Sequence, residues 1–262
     1  MKFLHTADWQ IGRLYAFEGD GDGHDPAASM ARARYDAVAA IADLATAEQV
    51  DAVLVAGDVF DKQALSDGSL RRLVNALTGF SGRWVLLPGN HDAALAESVW
   101  TRLQRLDVLP ANVELALEPR LFDYANAGFA VLAAPLTQRQ THGDLTEWFD
   151  AARTPAGLLR IGLAHGCVAG ILPEAADSAN PIAADRAATA RLDFLALGDW
   201  HGTRQVDGRT WYSGTPEQDR FKDNDSGNVL IVEIDAPGAV PPALSLPVAG
   251  SAGRRDAAAR LR

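Results

Sequence analysis

The sequence predicts an α/β fold, layered in the α+β manner, with two packed mixed β-sheets flanked by helices in one domain. Short apolar, β-branched runs recur along the chain, and each ends at a glycine or a polar loop residue. That is the grammar of buried strands. In the first half these runs alternate with segments of helical period, which implies parallel crossovers. In the second half strands follow one another with little helix between them. Both patterns together fit two sheets with helices on their outer faces.

Residues 2–7 read as the first strand. Residues 15–26 follow, acidic and glycine-rich through Glu18-Gly-Asp-Gly-Asp-Gly-His-Asp. The spacing lacks the side-chain ligands of a calcium loop, so the segment reads as a mobile rim. Residues 27–49 carry Met30, Ala33, Ala37, Ile41 and Leu44 near helical spacing, a long amphipathic helix. A strand at 52–56 leads to a second helix over 66–80, capped by Ser66 or Asp67. A third strand spans 83–89, and a third helix over 94–106 stops before Leu109-Pro110. Residues 113–117, 120–124 and 128–134 read as consecutive antiparallel strands. A short helix over 143–152 and a strand at 158–164 come next. Residues 172–191 are irregular, with a helix near 183–190, before a strand at 193–198. Strands at 203–206 and 209–213 flank the hairpin signal Asp207-Gly208, and the last strand covers 228–234. One domain therefore spans 1–235. Residues 236–262 are rich in Pro, Ala and Gly and then basic, a tail or the start of a capping domain.

Bulk properties narrow the function. With 262 residues the chain can bury a sizeable core. A formal charge of −10 argues against a general nucleic-acid coat, which would be basic. Clustered carboxylates would, however, be neutralised wherever they gather on cations. A single cysteine, Cys167, excludes an internal disulfide and fits a reducing compartment. Asp8 interrupts the opening apolar run, so no secretory leader is expected. No apolar stretch approaches the ~20 residues that span a bilayer. The expected location is cytoplasmic, with no membrane partner.

The ends of the strands carry the chemistry. Asp8 and Gln10 follow the first strand, Asp58 the second, Asn90, His91 and Asp92 the third, His165 the next, and Asp199 and His201 the one after. Divalent ions need several convergent oxygen or imidazole ligands, and two ions need a shared carboxylate. Asp8/Gln10 and Asp199/His201 each sit two apart, a spacing that places both side chains of a pair on one side of extended backbone. His5 points inward along its strand and reads as a core or supporting histidine. Asp61 and Asp92 read as loop-fixing groups behind the ligands. Trp9 and Trp200 flank the ligand pairs, with core packing their expected fate. His24 and His142 read as exposed, and Cys167 as a structural thiol. Arg13, Arg204, Arg209, Arg220 and Lys222 suit solvated surface, and each could also line a phosphate path. No nucleophile elbow or P-loop occurs, and no substrate-binding residue is assigned.

Asp8-Trp-Gln10, Gly57-Asp58-Val-Phe-Asp61, Gly89-Asn90-His91-Asp92, Ala164-His165-Gly166 and Gly198-Asp199-Trp-His201 follow the motif order of the calcineurin-like metallophosphoesterases. Within that superfamily the chain resembles the SbcD-type DNA-repair exonucleases through Val55-Ala-Gly-Asp-Val-Phe-Asp61 and Tyr212-Ser-Gly-Thr-Pro-Glu217. The resemblance runs from Met1 to about Ile234. It implies a β-sandwich flanked by helices, two manganese-like ions (magnesium being the alternative) and phosphodiester hydrolysis. One ion would be held by Asp8, Asp58, His201 and the position of Gln10. The other would be held by Asp58, Asn90, His165 and the position of Asp199, with Asp58 bridging. The nucleophile would be a metal-bridging hydroxide. His91 would support the leaving oxygen as acid or hydrogen-bond donor. DNA, an SMC-like ATPase partner and a homodimer, through the helices at 66–80 and 94–106, are the partners that the resemblance implies.

Two departures stand out. The family has histidine where this chain has Gln10 and again where it has Asp199. An amide carbonyl is a poorer ligand than imidazole, so the Gln10 side is expected to bind its ion more weakly. Aspartate adds a hard, charged oxygen that favours manganese or magnesium. These departures leave two alternatives to a DNA nuclease: a phosphodiesterase or phosphatase for small phosphoesters, and a catalytically weak DNA-processing subunit with a degenerate site.

Overall fold

The computed structural model describes residues 1–15, 26–170, 179–218 and 225–248. The chain opens with β1 (Lys2–Thr6), α1 (Pro26–Ala47), β2 (Ala52–Ala56), α2 (Asp67–Leu77), β3 (Arg83–Leu87), α3 (Val99–Arg105) and β4 (Val113–Leu115). It continues with β5 (Arg120–Tyr124), a 3₁₀ turn at Ala125–Ala127, β6 (Phe129–Ala134), α4 (Trp148–Ala151), β7 (Leu159–His165), β8 (Cys167–Val168) and β9 (Pro181–Ile182). Then come α5 (Arg186–Thr189), β10 (Phe194–Gly198), β11 (Arg204–Gln205), β12 (Thr210–Tyr212), β13 (Asn228–Glu233) and β14 (Ala243–Pro247). One six-stranded sheet has the order β14-β13-β1-β2-β3-β4 and the other β11-β12-β10-β7-β6-β5. β8 and β9 pair separately. Both large sheets are mixed, with β1 to β4 parallel and β6, β7, β10 and β12 parallel.

Every residue of β2 is buried, because both of its faces are covered. Such strands read as unbroken apolar runs. Phe3, Leu54, Val85, Leu163, Phe194 and Val232 meet between the sheets. Leu4, Val53, Val55 and Trp84 face the other way, onto Val38 and Ile41 of α1 and Leu70 and Leu73 of α2. Leu132, Leu195 and Leu197 cover the outer face of the second sheet beneath Phe149 and Ala187. The predicted two-sheet sandwich with outer helices is what the chain forms. No helix among the described residues is long and apolar enough to cross a membrane.

Local signals explain most boundaries. Ser66 caps α2, its side chain accepting from Ser69 N–H. α1 ends where Gln49 turns left-handed (φ 53) and Val50 N–H reaches Ala45 O at 3.1 Å. Asp207 holds the predicted hairpin turn by accepting from Arg209 and Thr210 N–H at 2.7 and 2.8 Å.

Several expectations are corrected. The third helix starts at Val99, not at 94, because Ser98 and Thr101 form a capping box and Ala94 N–H is drawn to Leu136 O at 2.8 Å. The strands after 113 are not three antiparallel neighbours. β4 pairs parallel with β3 in the first sheet, and only β5 and β6 are antiparallel. The helix expected over 143–152 shrinks to Trp148–Ala151, since Asp144 accepts from Thr146 N–H at 2.8 Å and holds a turn there. β14 lies in the proline-rich stretch after 236 and pairs antiparallel with β13 at a sheet edge, where proline is tolerated. Arg160 joins the two short helices by donating to Phe149 O, Ala152 O and Ala190 O at 3.2, 3.2 and 3.0 Å. The acidic rim at 16–25 with His24, part of the irregular stretch (171–178), Arg220, Lys222 and the end of the tail lie outside the described residues.

Candidate metal centre

β1, β2 and β3 of one sheet and β7 and β10 of the other end in loops that meet. Backbone hydrogen bonds tie the first two loops together: Asp8 N–H to Gly57 O at 3.0 Å, Gln10 N–H to Asp58 O at 2.8 Å and Ile11 N–H to Val59 O at 2.9 Å. The turns are tight. Asp8, Gln10 and Asp58 have φ of 55, 47 and 51, and Asp199 has φ of 102. Residues other than glycine seldom adopt this left-handed backbone, and it gathers at functional sites. Glycines permit the close approach, since a Cβ would stand 1.9 Å from Ala56 O at Gly198, 2.1 Å from His165 Nδ1 at Gly57 and 2.2 Å from Asp58 Oδ1 at Gly89.

At the centre, Asp8, Asp58 and His165 are buried, and one ligand atom of each lies within 4.8 Å of the others. His165 Nε2 is 3.6 Å from Asp58 Oδ1, 3.7 Å from Asp199 Oδ1 and 2.9 Å from Asn90 Oδ1. Its Nδ1–H donates to Ala56 O at 2.8 Å, which fixes the tautomer and turns Nε2 toward the carboxylates. In the neutral ring the Nε2 lone pair would then face the Asn90 carbonyl oxygen. Two lone pairs that close call for a proton or a cation beside them.

The electrostatics agree. Burial pulls the His165 imidazolium down, but Asp58, Asp8 and Asp199 outweigh it and hold its pKa up to about 9. Burial pushes Asp8 up to about 6, with the nearby histidines pulling back and Asp58 and Asp199 adding to the rise. Asp199 is raised by burial, and Asp92 is pushed up to about 8 by burial and by Asp58. Buried carboxylates that retain protons are a site that a divalent cation would satisfy. The donor set, mostly hard oxygen with an imidazole, fits a hard divalent cation.

The structure thus gathers Asp8, Asp58, Asn90, His165 and Asp199. Gln10 and His201 stand beside them as a pair, Gln10 Nε2 3.3 Å from His201 Nε2. The left-handed turns also join the two loops: Asp8 receives the Asp199 N–H at 3.2 Å, and Gln10 meets His201. His91 donates its backbone N–H to Asp58 Oδ1 at 2.9 Å, and its Nε2 lies 3.9 Å from Asp58 Oδ2. Its Nδ1 sits 3.0 Å from Asp61 O. Asp92 accepts Gly89 N–H at 2.6 Å and Phe60 N–H at 3.0 Å, joining the loops after β3 and β2. His5 is buried in the core, edge-on to Phe194, with Nε2 3.1 Å from Leu197 O. Burial drops its pKa to about 3. Trp9 packs on Trp84, as core.

Sequence reasoning missed two supports. Arg34, buried, donates to Trp9 O at 2.8 Å and so braces the loop between Asp8 and Gln10. Its position on the apolar stripe of α1, four residues after Met30 and seven before Ile41, was the available signal. Thr215 Oγ1 donates to Asp8 O at 2.9 Å. It lies inside the Tyr212-Ser-Gly-Thr-Pro-Glu217 motif, but nothing local there marks a contact with Asp8.

Known proteins share this architecture. The family described as calcineurin-like phosphoesterase matches residues 1–169. The SbcD subunit of nuclease SbcCD from Rhodobacter capsulatus is 31% identical over 82% of this chain, which spans 62% of that protein's length. The crystal structure of TT1561 of Thermus thermophilus is similar with a TM-score of 0.56 at 11% identity, covering 94% of this chain and 98% of that one. A dimetal phosphatase from Danio rerio is similar with a TM-score of 0.53 at 14% identity, covering 93% and 98%. At these identities the two structures speak for the fold alone.

Proposed function

This chain belongs to the calcineurin-like phosphoesterase family, and on that premise we propose that it is a metal-dependent phosphodiesterase acting on DNA. The observation that carries the chemistry is the buried Asp8–Asp58–His165 cluster with His91 at its edge, its side chain 40% exposed. The relative named as a subunit of a nuclease supports a nucleic-acid substrate and a partner subunit, and the motif resemblance makes these DNA and an SMC-like ATPase.

Asp8, Asp58, His201 and Gln10 would hold one divalent ion, and Asp58, Asn90, His165 and Asp199 the other. When bound, such ions lower the pKa of water and offset the charge developing on phosphorus. The chain's own residues do the rest. Asp58 accepts the His91 N–H and so sets the distance between the carboxylate and the imidazole. Asp61 O accepts a hydrogen bond from His91 Nδ1–H and leaves Nε2 on the site side, where the ring, when it carries a proton on both nitrogens, would donate to the departing oxygen. Asp92 keeps the loops bearing Asp58 and Asn90 in register.

The test is manganese-supplemented hydrolysis of single- and double-stranded DNA beside bis-p-nitrophenyl phosphate and a phosphomonoester. We expect DNA cleavage that falls more than ~100-fold in Asp58→Ala, beyond the loss of a supporting contact. Activity confined to the small esters would favour a small-molecule phosphodiesterase, a reading that the net charge of −10 supports. Bound metal without hydrolysis would favour a weak DNA-processing subunit.

A further inference from the structure

We propose, building on the phosphoesterase reading, that Arg13 is the built-in cation of the Gln10 side of this site and competes there with the second divalent ion. Among the described residues, side chains of His, Cys, Asp and Glu converge in ligating geometry at Asp8, Asp58 and His165, and His201 is outside that group. Gln10 has one atom able to ligate a hard metal, its carbonyl oxygen. That oxygen accepts a hydrogen bond from the Arg13 guanidinium. The contact decides which way the amide lies, because guanidinium can only donate. The Gln10 NH₂ group therefore faces His201 Nε2 at 3.3 Å and donates to its lone pair. The two neutral donors that would receive an ion on this side, Gln10 Oε1 and His201 Nε2, are thereby already engaged.

The backbone holds this arrangement. Gln10 is left-handed at φ 47, Gly12 at φ 88, and Arg13 N–H returns to Gln10 O at 3.2 Å. The turn stacks the fourth side chain over the first. Glycine suits the turn because its φ of 88 strains any residue with a side chain. An ion seated between Gln10 and His201 would have to turn the amide and displace a permanently charged guanidinium. Arg13 thus supplies positive charge at the site without an ion, and its planar fork is suited to phosphate oxygens.

A merely supportive arginine and a competing one predict opposite results. Manganese binding to the purified full chain is measured by equilibrium dialysis, with electron paramagnetic resonance on the same samples. We expect one tightly held ion per chain, giving the hyperfine pattern of an isolated manganese, and a second ion bound about tenfold or more weakly. Arg13→Met should tighten the second ion, and Gln10→His should give two ions with a spin-coupled spectrum. Two equally tight, coupled ions in the unaltered chain would overturn the proposal while leaving the metallophosphoesterase reading intact. So would an Arg13→Met variant, folded by its melting curve, whose second ion is unchanged or weaker. No manganese bound by the unaltered chain would overturn the metal reading itself, and this inference with it.

Discussion

Neither oxygen of Asp92 is spare: one accepts Gly89 N–H at 2.6 Å and the other Phe60 N–H at 3.0 Å, with the residue fully buried. Above pH 8, where Asp92 is ionised, Asp92→Asn keeps the shape but turns one acceptor into a donor that faces an N–H. The expected outcome is a loss of ~1–3 kcal/mol in a urea melt, together with weaker manganese binding. An asparagine variant as stable as the parent would show that the carboxylate does not bridge the loops. At this scale much of the site is legible in the chain. Asp8, Asp58, Asn90, His165 and Asp199 each follow a strand, and the fold brings them together. What the chain does not reveal is the cross-pairing of Asp8 with Asp199 and of Gln10 with His201. It depends on left-handed backbone at Asp8, Gln10 and Asp199, which residue type does not announce outside glycine. Arg13 reads as a surface cation for the same reason, since its role exists only once the turn has placed it over Gln10.

Among the elements, the parallel strands are legible because burial on both faces makes their sequences continuously apolar. Helix lengths are less so. α3 and α4 are shorter than their apolar spacing suggests, because caps and side-chain turns at Ser98 and Asp144 take up backbone donors before the helix begins. β14 escapes the sequence pattern, as a Pro-Pro-flanked edge strand carries almost no periodic signal. Arg160 acts at this scale as well. It sits near the amino end of β7 and donates to carbonyls at the ends of α4 and α5, whereas His165 closes the same strand. Arg160→Met should therefore destabilise the chain by ~1–3 kcal/mol, at roughly 1 kcal/mol per hydrogen bond. Its manganese stoichiometry should be unchanged. A loss of metal alongside the loss of stability would mean that the two ends of β7 are coupled.

For the whole molecule, pH and metal act on one balance. The raised pKa of His165, about 9 against 6.5, gives stability that is full below pH 6.5 and lost as pH climbs through 9. The raised pKa of Asp92, about 8 against 3.8, has the same sign: the fold prefers its neutral form, and ionisation on the way up to pH 8 removes stability. The metal-free chain should therefore melt lower at pH 9 than at pH 6. Manganese needs His165 deprotonated, so binding at pH 7 should release ~1 proton, and its stabilising effect should grow with pH. Calorimetry in buffers of different ionisation enthalpy counts that proton, and melting curves with and without chelator follow the stability. A pH-independent melting temperature in chelator would contradict the assignment. One further consequence lies in how the sandwich is sewn. His165 of one sheet reaches Ala56 O of the other, Asp199 N–H reaches Asp8, and Leu197 O meets His5, all at the same end. The residues that would hold a cation come from both sheets, so loading would rivet them together. Without it, that end is where like charges push and where the sandwich would first gape. The chain's resistance to being pulled open or digested thus becomes a gauge of the metal in its surroundings.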